Sequence, residues 1–299
     1  MSAILTLVAN REATTLTSHD IDLATTLAAG REPTILSPGE AVDIPCAPLT
    51  PAQIDAIRAG LDTRAVDVLY GPCENRRKKI LVADMDSTIV ANETLDDIAA
   101  HAERLRPGIG EEVAAVTRRS MNGEIDFQTS LRNRVALLEG LPASLLEAAW
   151  QDVKINAGAR TLVQTMKANG AVTALVSGGF TWFTSRVGAA CGFHENHANH
   201  LTVSDDTFTG TVGEPILGPD AKLRHLIRIA ATSRHPLSAA LTIGDGANDL
   251  PMLRAGGLGI AFHAKPVVRR ERMESRIDHG TLRSALFAQG YRGGEFVEE

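Results

Sequence analysis

The sequence predicts an α/β protein built on a parallel β-sheet covered by helices, and three observations lead to this prediction. Short apolar segments alternate with helix-length amphipathic segments from residue 153 onward, which is the pattern of strands joined by crossover helices. Residues 94–152, after an earlier strand, have helical periodicity throughout. The first 72 residues follow a different order of elements. We therefore expect a core at 78–93 and 153–290, a helical cap insert at 94–152 and a separate module at 1–72.

The N-terminal module is predicted to have the order βαββαβ. Thr50-Pro51-Ala52-Gln53 fits a capping box with proline at the first helical position. The predicted strands and helices lie at residues 4–8, 18–29, 33–36, 41–45, 51–61 and 64–70. This order predicts a ferredoxin-like module over residues 1–72. The module contains no catalytic cluster, so a regulatory or dimer-forming role and a purely structural extension both stay open.

The cap insert directly follows the first core strand, which places it well to act as a lid. Its predicted helices lie at residues 94–103, 109–121, 127–139 and 143–152, with breaks at Gly and Pro residues between them. The elements predicted after it lie at residues 159–168, 171–177, 181–190, 200–203, 207–212, 219–231, 239–243, 248–255 and 258–261. The basic run Arg76–Lys79, in a linker, is predicted to be a solvated edge. Residues 290–299 are predicted to be a loose acidic tail.

Composition limits the classes of partner and compartment. The chain has 299 residues, of which 44% are hydrophobic and 22% charged, as is usual for a globular protein. Its net charge of −6 gives no basic field for nucleic acid. No apolar run reaches the roughly 20 residues of a membrane helix, and the start of the chain lacks the features of a secretory signal. With three widely spaced cysteines, this predicts a cytoplasmic protein with reduced thiols and no nucleic-acid or membrane partner.

The most informative motif is Asp84-Met85-Asp86-Ser87-Thr88, which follows an apolar run with a β-branched bias. Side chains at positions i and i+2 of an extended segment point the same way, so we expect Asp84 and Asp86 to project together from the carboxyl end of a strand. Ligands of open α/β sheets bind at that edge. Two adjacent carboxylates repel each other, which indicates a divalent cation or a shared proton at this position.

Three further clusters lie after predicted strands or at the start of a predicted helix. Ser177-Gly178-Gly179, between a strand and a helix, forms either an anion site or an ordinary turn. Lys222, in the first turn of a helix, opposes the helix dipole and is either functional or a solvated surface lysine. Asp245 and Asp249, flanked by glycines after a strand, suit a hard cation or a tight turn in which Asp249 caps the next helix.

The predicted topology brings these clusters into one crevice. Four carboxylates and one ammonium leave the crevice negatively charged, and a phosphate would add about −1.5 to −2. Such a site needs a cation before it binds phosphate, and Mg²⁺ fits because it takes few carboxylate ligands together with substrate phosphate. The clusters contain no histidine or cysteine ligands, which argues against zinc.

Four motifs occur in this order along the chain: Asp-Met-Asp-Ser-Thr, Ser-Gly-Gly, a lysine, and Gly-Asp-Gly-Ala-Asn-Asp. Together they resemble the motifs of the haloacid-dehalogenase-like (HAD) phosphatase superfamily. The resemblance covers about residues 80–286 and implies a HAD-like Rossmannoid parallel-sheet core with a helical cap insert. Residues 1–72 are covered only loosely and resemble ACT-type modules in strand order. Within the insert, segments 93–96, 121–127 and 130–135 resemble the phosphoserine phosphatases of this superfamily.

The resemblance implies a role for each motif residue. Asp84 becomes the nucleophile, and Asp86 the general acid and base. The implied metal ligands for Mg²⁺ are Asp84, the backbone carbonyl of Asp86 and Asp245. The implied phosphate-binding residues are Ser177, Gly178, Lys222 and Asn248, supported by Asp249 and Thr88.

The substrate residues are expected in the cap insert. On a helix beginning near Phe127, Arg134 interrupts an otherwise apolar stripe. A snorkelling surface arginine is one interpretation. The resemblance implies instead that Arg134 binds a substrate carboxylate, that Glu93 binds its ammonium, and that Met121 and Phe127 shield the site from water.

The implied activity is Mg²⁺-dependent hydrolysis of O-phospho-L-serine to L-serine and phosphate through an aspartyl-phosphate, the last step of serine biosynthesis. One alternative is a HAD phosphatase or phosphotransferase acting on another small phosphomonoester, such as one related to phosphohomoserine. A second alternative is an amino-acid-binding regulatory protein with a vestigial core, an idea that rests on residues 1–72. Serine as a regulatory ligand and a homodimer are further hypotheses about partners.

Overall fold

The computed structural model describes residues 3–121, 124–271 and 273–298, with Met121 described by its backbone alone. The chain forms a four-stranded antiparallel sheet near its N-terminus, then a six-stranded parallel sheet, and a two-stranded ribbon. A group of helices is inserted after the first strand of the parallel sheet. Within the described ranges, every helix is too short or too polar to cross a membrane.

The N-terminal sheet is antiparallel and packs two helices. Its elements are β1 (Ala3–Ala9), α1 (Ser18–Leu27), β2 (Thr34–Ser37), β3 (Ala41–Cys46), α2 (Pro51–Gly60) and β4 (Val66–Pro72). The strand order is β2-β3-β1-β4, so β1 pairs with both β3 and β4. The capping box predicted at Thr50 is confirmed, with Gln53 as its partner. The predicted order βαββαβ is observed, whereas the ferredoxin-like, ACT-type assignment stays a prediction.

The parallel sheet is the core of the molecule, and it confirms the predicted α/β class. Its strands are β5 (Ile80–Ala83), β6 (Val172–Phe180), β7 (Glu195–Asn199), β10 (Ala240–Gly244), β11 (Leu258–Phe262) and β12 (Ser275–Ile277). The order is β12-β11-β10-β5-β6-β7, with all neighbours parallel. The helices around it are α7 (Ala159–Ala168), α8 (Thr181–Cys191), α9 (Pro219–Ser233), α10 (Leu250–Ala255), α11 (Pro266–Arg270) and α12 (Ser284–Phe287). Because β5 is central, all four of its side chains are buried.

The sequence prediction omits both edge strands of this sheet. β7 has the polar sequence Glu-Asn-His-Ala-Asn, and β12 has only three residues. β7 pairs on one side and is mostly half-buried, so it lacks the continuous apolar run that identifies a central parallel strand. β12, which is covered by β4, is too short for a periodic pattern to identify it. The hydrophobic pattern therefore identifies the centre of the sheet better than its edges.

The cap insert is helical, as predicted. It comprises α3 (Thr94–Ala102), α4 (Ile109–Met121), α5 (Phe127–Ala136) and α6 (Leu145–Gln151). The predicted ribbon, β8 (Leu201–Ser204) and β9 (Thr207–Val212), packs against the cap. The backbone of Phe208, which is buried, donates to the carbonyl of Leu141 and accepts from the N–H of Gly140, at 2.9 Å in both cases. This ribbon thus holds the connection between α5 and α6 of the cap.

The N-terminal module is joined to the core along β4 and β12. The carboxylate of Asp67 on β4 accepts the three backbone N–H groups of residues 278–280, at 2.7 to 2.9 Å. Burial raises the pKa of Asp67, although these three N–H groups oppose the shift. The hydroxyl of Ser275 on β12 donates to the carbonyl of Tyr70 and accepts its N–H. The two sheets therefore meet through polar contacts that are largely buried.

The prediction of a solvated basic edge at residues 76–79 is wrong for two of the four side chains. Arg76 pairs with the buried carboxylate of Asp43, and it also donates to the carbonyl groups of residues 287 and 288 in the core. Lys78 is buried, with its ammonium 2.9 Å from the carbonyl of Ser238. The linker between module and core is thus part of their interface, which a charge count along the sequence does not indicate.

The prediction of a loose tail at residues 290–299 is also wrong for the part that the structure describes, up to residue 298. Tyr291 is 1% exposed and Phe296 is 9% exposed. Glu295 forms an ion pair with Arg77 at 2.7 Å. The acidic residues thus pair with basic residues elsewhere in the fold, while the two aromatic rings anchor the segment to the core.

We expect Arg76→Met to lower the free energy of unfolding by about 3 kcal/mol, because it leaves the buried Asp43 carboxylate without its cation. Urea unfolding followed by circular dichroism measures this change. The matched control is Arg77→Met, whose ion pair with Glu295 is exposed and is expected to contribute about 1 kcal/mol or less. Equal losses in both variants would contradict this account of the interface.

Candidate active site

Lys222 and two aspartates form a buried cluster at the carboxyl edge of the parallel sheet. The Lys222 Nζ lies 2.7 Å from Asp84 Oδ1 and 2.6 Å from Asp249 Oδ1, and its side chain is 1% exposed. The interpretation of Lys222 as a solvated surface lysine is therefore wrong. Burial favours the neutral amine, but Asp249 and Asp84 outweigh it and raise the pKa of Lys222. Burial and the charge of Asp249 raise the pKa of Asp84, against the effect of Lys222.

Asp249 also holds the loop that follows β10. Its Oδ2 accepts the backbone N–H groups of Asp245 and Gly246, at 3.1 and 3.0 Å, so its side chain does not cap the next helix. A Cβ atom at Gly244 would lie 2.3 Å from Asp249 Cγ, and one at Gly246 would lie 2.4 Å from Asn248 Oδ1. The glycines of this motif are therefore required by the close approach of Asp249 and Asn248 to the backbone.

Three carboxylates at this edge could hold a metal ion. One oxygen atom from each of Asp84, Asp245 and Asp249 lies within 4.8 Å of the others, and all three residues are buried. An all-oxygen donor set suits a hard divalent cation. Burial raises the pKa of Asp245 to about 6, although the ammonium of Lys265 opposes this shift. The predicted ligand set, which includes the backbone carbonyl of Asp86 and not Asp249, stays a prediction.

Asp86 has different neighbours from Asp84. β5 ends at Ala83, and both aspartates lie just beyond it with extended backbone, at φ −70° for Asp84 and −65° for Asp86, before the chain turns at Ser87. That the two side chains project together from the end of the strand stays a prediction. The Asp86 Oδ1 accepts the N–H of Thr94 at 3.0 Å, and its Oδ2 accepts the hydroxyl of Ser177 at 3.2 Å. Burial, followed by the charge of Glu93, raises the pKa of Asp86 to about 6.

The Ser177-Gly178-Gly179 segment lies within β6, and not between strand and helix as predicted, because the strand continues to residue 180. The segment nevertheless lies close to Asp86, whose Oδ2 accepts the hydroxyl of Ser177. The Ser177 Oγ accepts the N–H of Gly179 at 2.9 Å, and a Cβ at Gly179 would lie 2.7 Å from Asp86 Oδ2. Asn199, which the sequence analysis omits, donates from Nδ2 to the carbonyl of Gly178 at 2.8 Å.

Two of the predicted substrate residues of the cap lie beside these core segments. A Cβ at Gly178 would lie 2.9 Å from Phe127 Cζ, so the phenyl ring covers this part of β6. Arg134 is half-buried, and burial lowers its pKa while the carboxylates of Asp96 and Glu93 oppose the change. Its Nε has no hydrogen-bond partner among the described atoms. These surroundings favour a binding role for Arg134 over a snorkelling one.

Glu93 contacts both the first core motif and a lysine that the sequence analysis omits. Its Oε1 accepts the hydroxyl of Ser87 at 2.8 Å and the ammonium of Lys265 at 2.9 Å. Lys265 follows the parallel strand β11, so its position at the carboxyl edge of the sheet can be inferred from the sequence in the same way as that of Asp245.

The side chain of Met121 lies outside the described residues. Thr88 is fully buried, with no hydrogen bond to its Oγ1 among the described residues, and its supporting role stays a prediction.

Known proteins resemble this chain over both the site and the fold. The model of the haloacid dehalogenase-like hydrolase family matches residues 81–254, more than half of the chain. A phosphoserine phosphatase from Streptomyces coelicolor is 41% identical over 244 residues, which cover 80% of this chain and 58% of that protein. The solved structure of a HAD family hydrolase from Salmonella enterica serovar Typhi has a TM-score of 0.82 at 30% identity, and the match covers 96% of this chain and 98% of that chain.

A second solved structure is that of a phospho-aspartyl intermediate analogue of a phosphoserine phosphatase. It has a TM-score of 0.64 at 38% identity, and the match covers 71% of this chain and 98% of that chain. The chain thus spans nearly all of this relative but less than two thirds of the relative from Streptomyces coelicolor. The chain therefore belongs to the haloacid dehalogenase-like hydrolase family, in which its relatives include phosphoserine phosphatases.

Proposed function

We propose that this chain is a Mg²⁺-dependent phosphoserine phosphatase that hydrolyses O-phospho-L-serine to L-serine and phosphate. The observation that carries the proposal is the buried contact of Lys222 with Asp84 and Asp249, next to Asp245, at the carboxyl edge of the sheet. Relatives at 41% and 38% identity are named phosphoserine phosphatases. The function would place this chain at the last step of serine biosynthesis.

In this proposal Asp84 is the nucleophile and Asp86 the general acid and base. The attack of Asp84 on phosphorus gives an aspartyl-phosphate, which divides hydrolysis into two easier steps. The seryl alkoxide is a poor leaving group, so it needs a proton from a positioned acid. Asp86, held by Thr94 and Ser177, supplies that proton and then accepts one from the attacking water. The phospho-aspartyl analogue of a relative supports the first step.

The remaining core residues are proposed to bind the phosphate and the cation. Backbone and side-chain donors, together with the ammonium of a buried lysine, stabilise charge on the phosphate oxygens during transfer. The proposed phosphate ligands are Ser177, Gly178, Lys222 and Asn248. The proposed Mg²⁺ ligands are Asp84, the Asp86 carbonyl and Asp245, with Asp249 and Thr88 in support. When bound, the cation supplies the positive charge that lets a phosphate enter a site rich in carboxylates.

The cap is proposed to select phosphoserine through two opposite charges. A substrate carboxylate would satisfy the half-buried guanidinium of Arg134 through a charge-assisted contact. Glu93, at the start of the cap, would bind the substrate ammonium. Phe127, which covers Gly178, and Met121 would exclude water from the reacting centre.

We also infer a regulatory site for free serine beside the N-terminal module. A cavity of about 400 Å³ between the module and the core is lined by Arg11, Glu40, Arg283 and Glu298, among others. A zwitterionic amino acid needs one cationic and one anionic partner. The cavity contains both, with Arg283 paired with Glu298 at 2.6 Å and Arg11 more loosely with Glu40 at 3.9 Å, so a bound serine would replace these contacts. A homodimer and a cytoplasmic location stay predictions.

We expect Asp84→Asn to reduce phosphate release from phosphoserine by about 10³-fold or more, because a carboxamide cannot replace the attacking carboxylate. The two side chains are similar in size, so the far-UV circular dichroism should not change. The matched control is Asp220→Asn, an exposed aspartate in the first turn of α9, which should keep wild-type turnover. Robust turnover by the Asp84→Asn variant would show that Asp84 is not the nucleophile.

We expect Arg134→Ala to lower kcat/KM for phosphoserine by about 30-fold, the effect of losing a hydrogen bond to a charged group worth about 2 kcal/mol. Turnover of O-phosphoethanolamine, which lacks the carboxylate, should change by less than about threefold, because it never used that bond. The control is Arg132→Ala, on the same helix, whose ion pair with Glu214 is exposed. An equal loss on both substrates would mean that Arg134 supports the fold.

We expect L-serine to bind the full chain with a saturable heat in calorimetry. Arg11→Met should weaken this binding about tenfold, since it removes one cation from the cavity. Arg31→Met, an exposed arginine of the same module outside the cavity lining, should leave it unchanged. Serine binding that is indifferent to Arg11→Met would locate the ligand elsewhere, for example at the catalytic site.

A further inference from the structure

Lys265 joins the cap to the metal-binding edge of the core. Its ammonium lies 2.9 Å from Glu93 Oε1 and 3.1 Å from Asp245 Oδ2. Its backbone N–H also donates to the carbonyl of Asp245 at 2.9 Å. Glu93 immediately precedes the first helix of the cap, whereas Asp245 follows a core strand. One cation therefore contacts both parts of the molecule at the point where the cap begins.

The two lysines of the site differ in the carboxylates that they neutralise. Lys222 contacts Asp84 and Asp249, and Lys265 is the cation that contacts Asp245 among the described residues. Each of the three carboxylates that could hold a metal ion thus already has an ammonium partner. A divalent cation at this site would neutralise the same carboxylates and would therefore compete with the ammonium groups for them.

The two lysines also differ in how readily they can be displaced. The side chain of Lys222 is 1% exposed and lies between two carboxylates. The side chain of Lys265 is 39% exposed and has Glu93 as a second partner outside the metal-binding group. Lys265 can therefore leave Asp245 without being left as an unpaired buried charge, which would be costly for Lys222.

We propose that Lys265 is a positioning residue whose ammonium is the counter-ion of Asp245 until a divalent cation binds, and that cation binding releases this ammonium to Glu93 of the cap. This inference rests on the proposed metal site. It makes Lys265 a competitor of the metal for Asp245. If the ammonium moves in this way, binding of a cation also changes the charge around Glu93, which is proposed to bind the substrate ammonium.

Calorimetric titration of the substrate-free protein with MgCl₂ tests the competition without any activity measurement. In Lys265→Met the competing charge is absent while most of the unbranched side chain is retained, so the dissociation constant for Mg²⁺ should fall about tenfold. Lys265→Arg keeps the charge and should bind Mg²⁺ within about threefold of the wild type. A purely structural lysine would give no such distinction between the neutral and the charged variant.

The control is Lys154→Met, an exposed lysine whose backbone carbonyl accepts from Ala91 where the cap leaves the core. It should leave Mg²⁺ affinity unchanged. Should Lys265→Met fold poorly by circular dichroism, Lys265→Gln provides a second neutral variant for the same titration. Unchanged or weaker Mg²⁺ binding in a folded neutral variant overturns the inference. Absence of Mg²⁺ binding in the wild type would instead overturn the proposed metal site, so the two failures are distinguishable.

Discussion

The buried ammonium of Lys222 is the constraint on which the rest of the site depends. A lysine that is 1% exposed can stay charged only when carboxylates replace its water shell. Asp84 and Asp249 need the same cation, because two buried like charges would otherwise repel. These three side chains come from the residue after β5, from α9 and from the turn after β10. The fold must therefore bring three distant segments to one point, and the loss of the Lys222 charge would leave two buried carboxylates without a cation.

Because of this constraint, Asp84 and Asp86 have different surroundings although they are only two residues apart in the sequence. Asp84 has an ion-pair partner, whereas Asp86 has hydrogen bonds from Thr94 and Ser177 but no ion pair among the described residues. A carboxylate fixed beside a cation is suited to attack an anionic phosphate. A carboxyl group held by neutral donors can exchange a proton without leaving a buried cation unpaired. The difference in neighbours thus agrees with different roles for two residues of one motif.

The sequence predicts those parts of the fold and site that depend on local pattern. The buried run at β5 and the glycines around Asp245 identify the sheet and its carboxyl edge, because burial and close backbone approach restrict the residue types at each position. Ion pairs between residues that are distant in the sequence leave no such local pattern. Arg76 is indistinguishable in sequence from its exposed neighbour Arg77, and only the fold brings it to Asp43, 33 residues away. Lys265 differs from Arg76 in this respect, because it follows β11 and so lies at the carboxyl edge that the strand pattern itself identifies.

The cap and the catalytic edge are not independent units, because hydrogen bonds join them where the cap begins. The N–H of Thr94, the first residue of α3, donates to Asp86, so an outward movement of this helix would remove a donor from the carboxylate proposed as acid and base. At a second contact the ring of Phe127 lies against Gly178, where a Cβ atom would lie 2.9 Å from Cζ and would force the ring to move. The same cap position that covers the site thus completes the surroundings of Asp86. If a substrate entered through an outward movement of α3, Asp86 would lack the Thr94 donor until the helix returned.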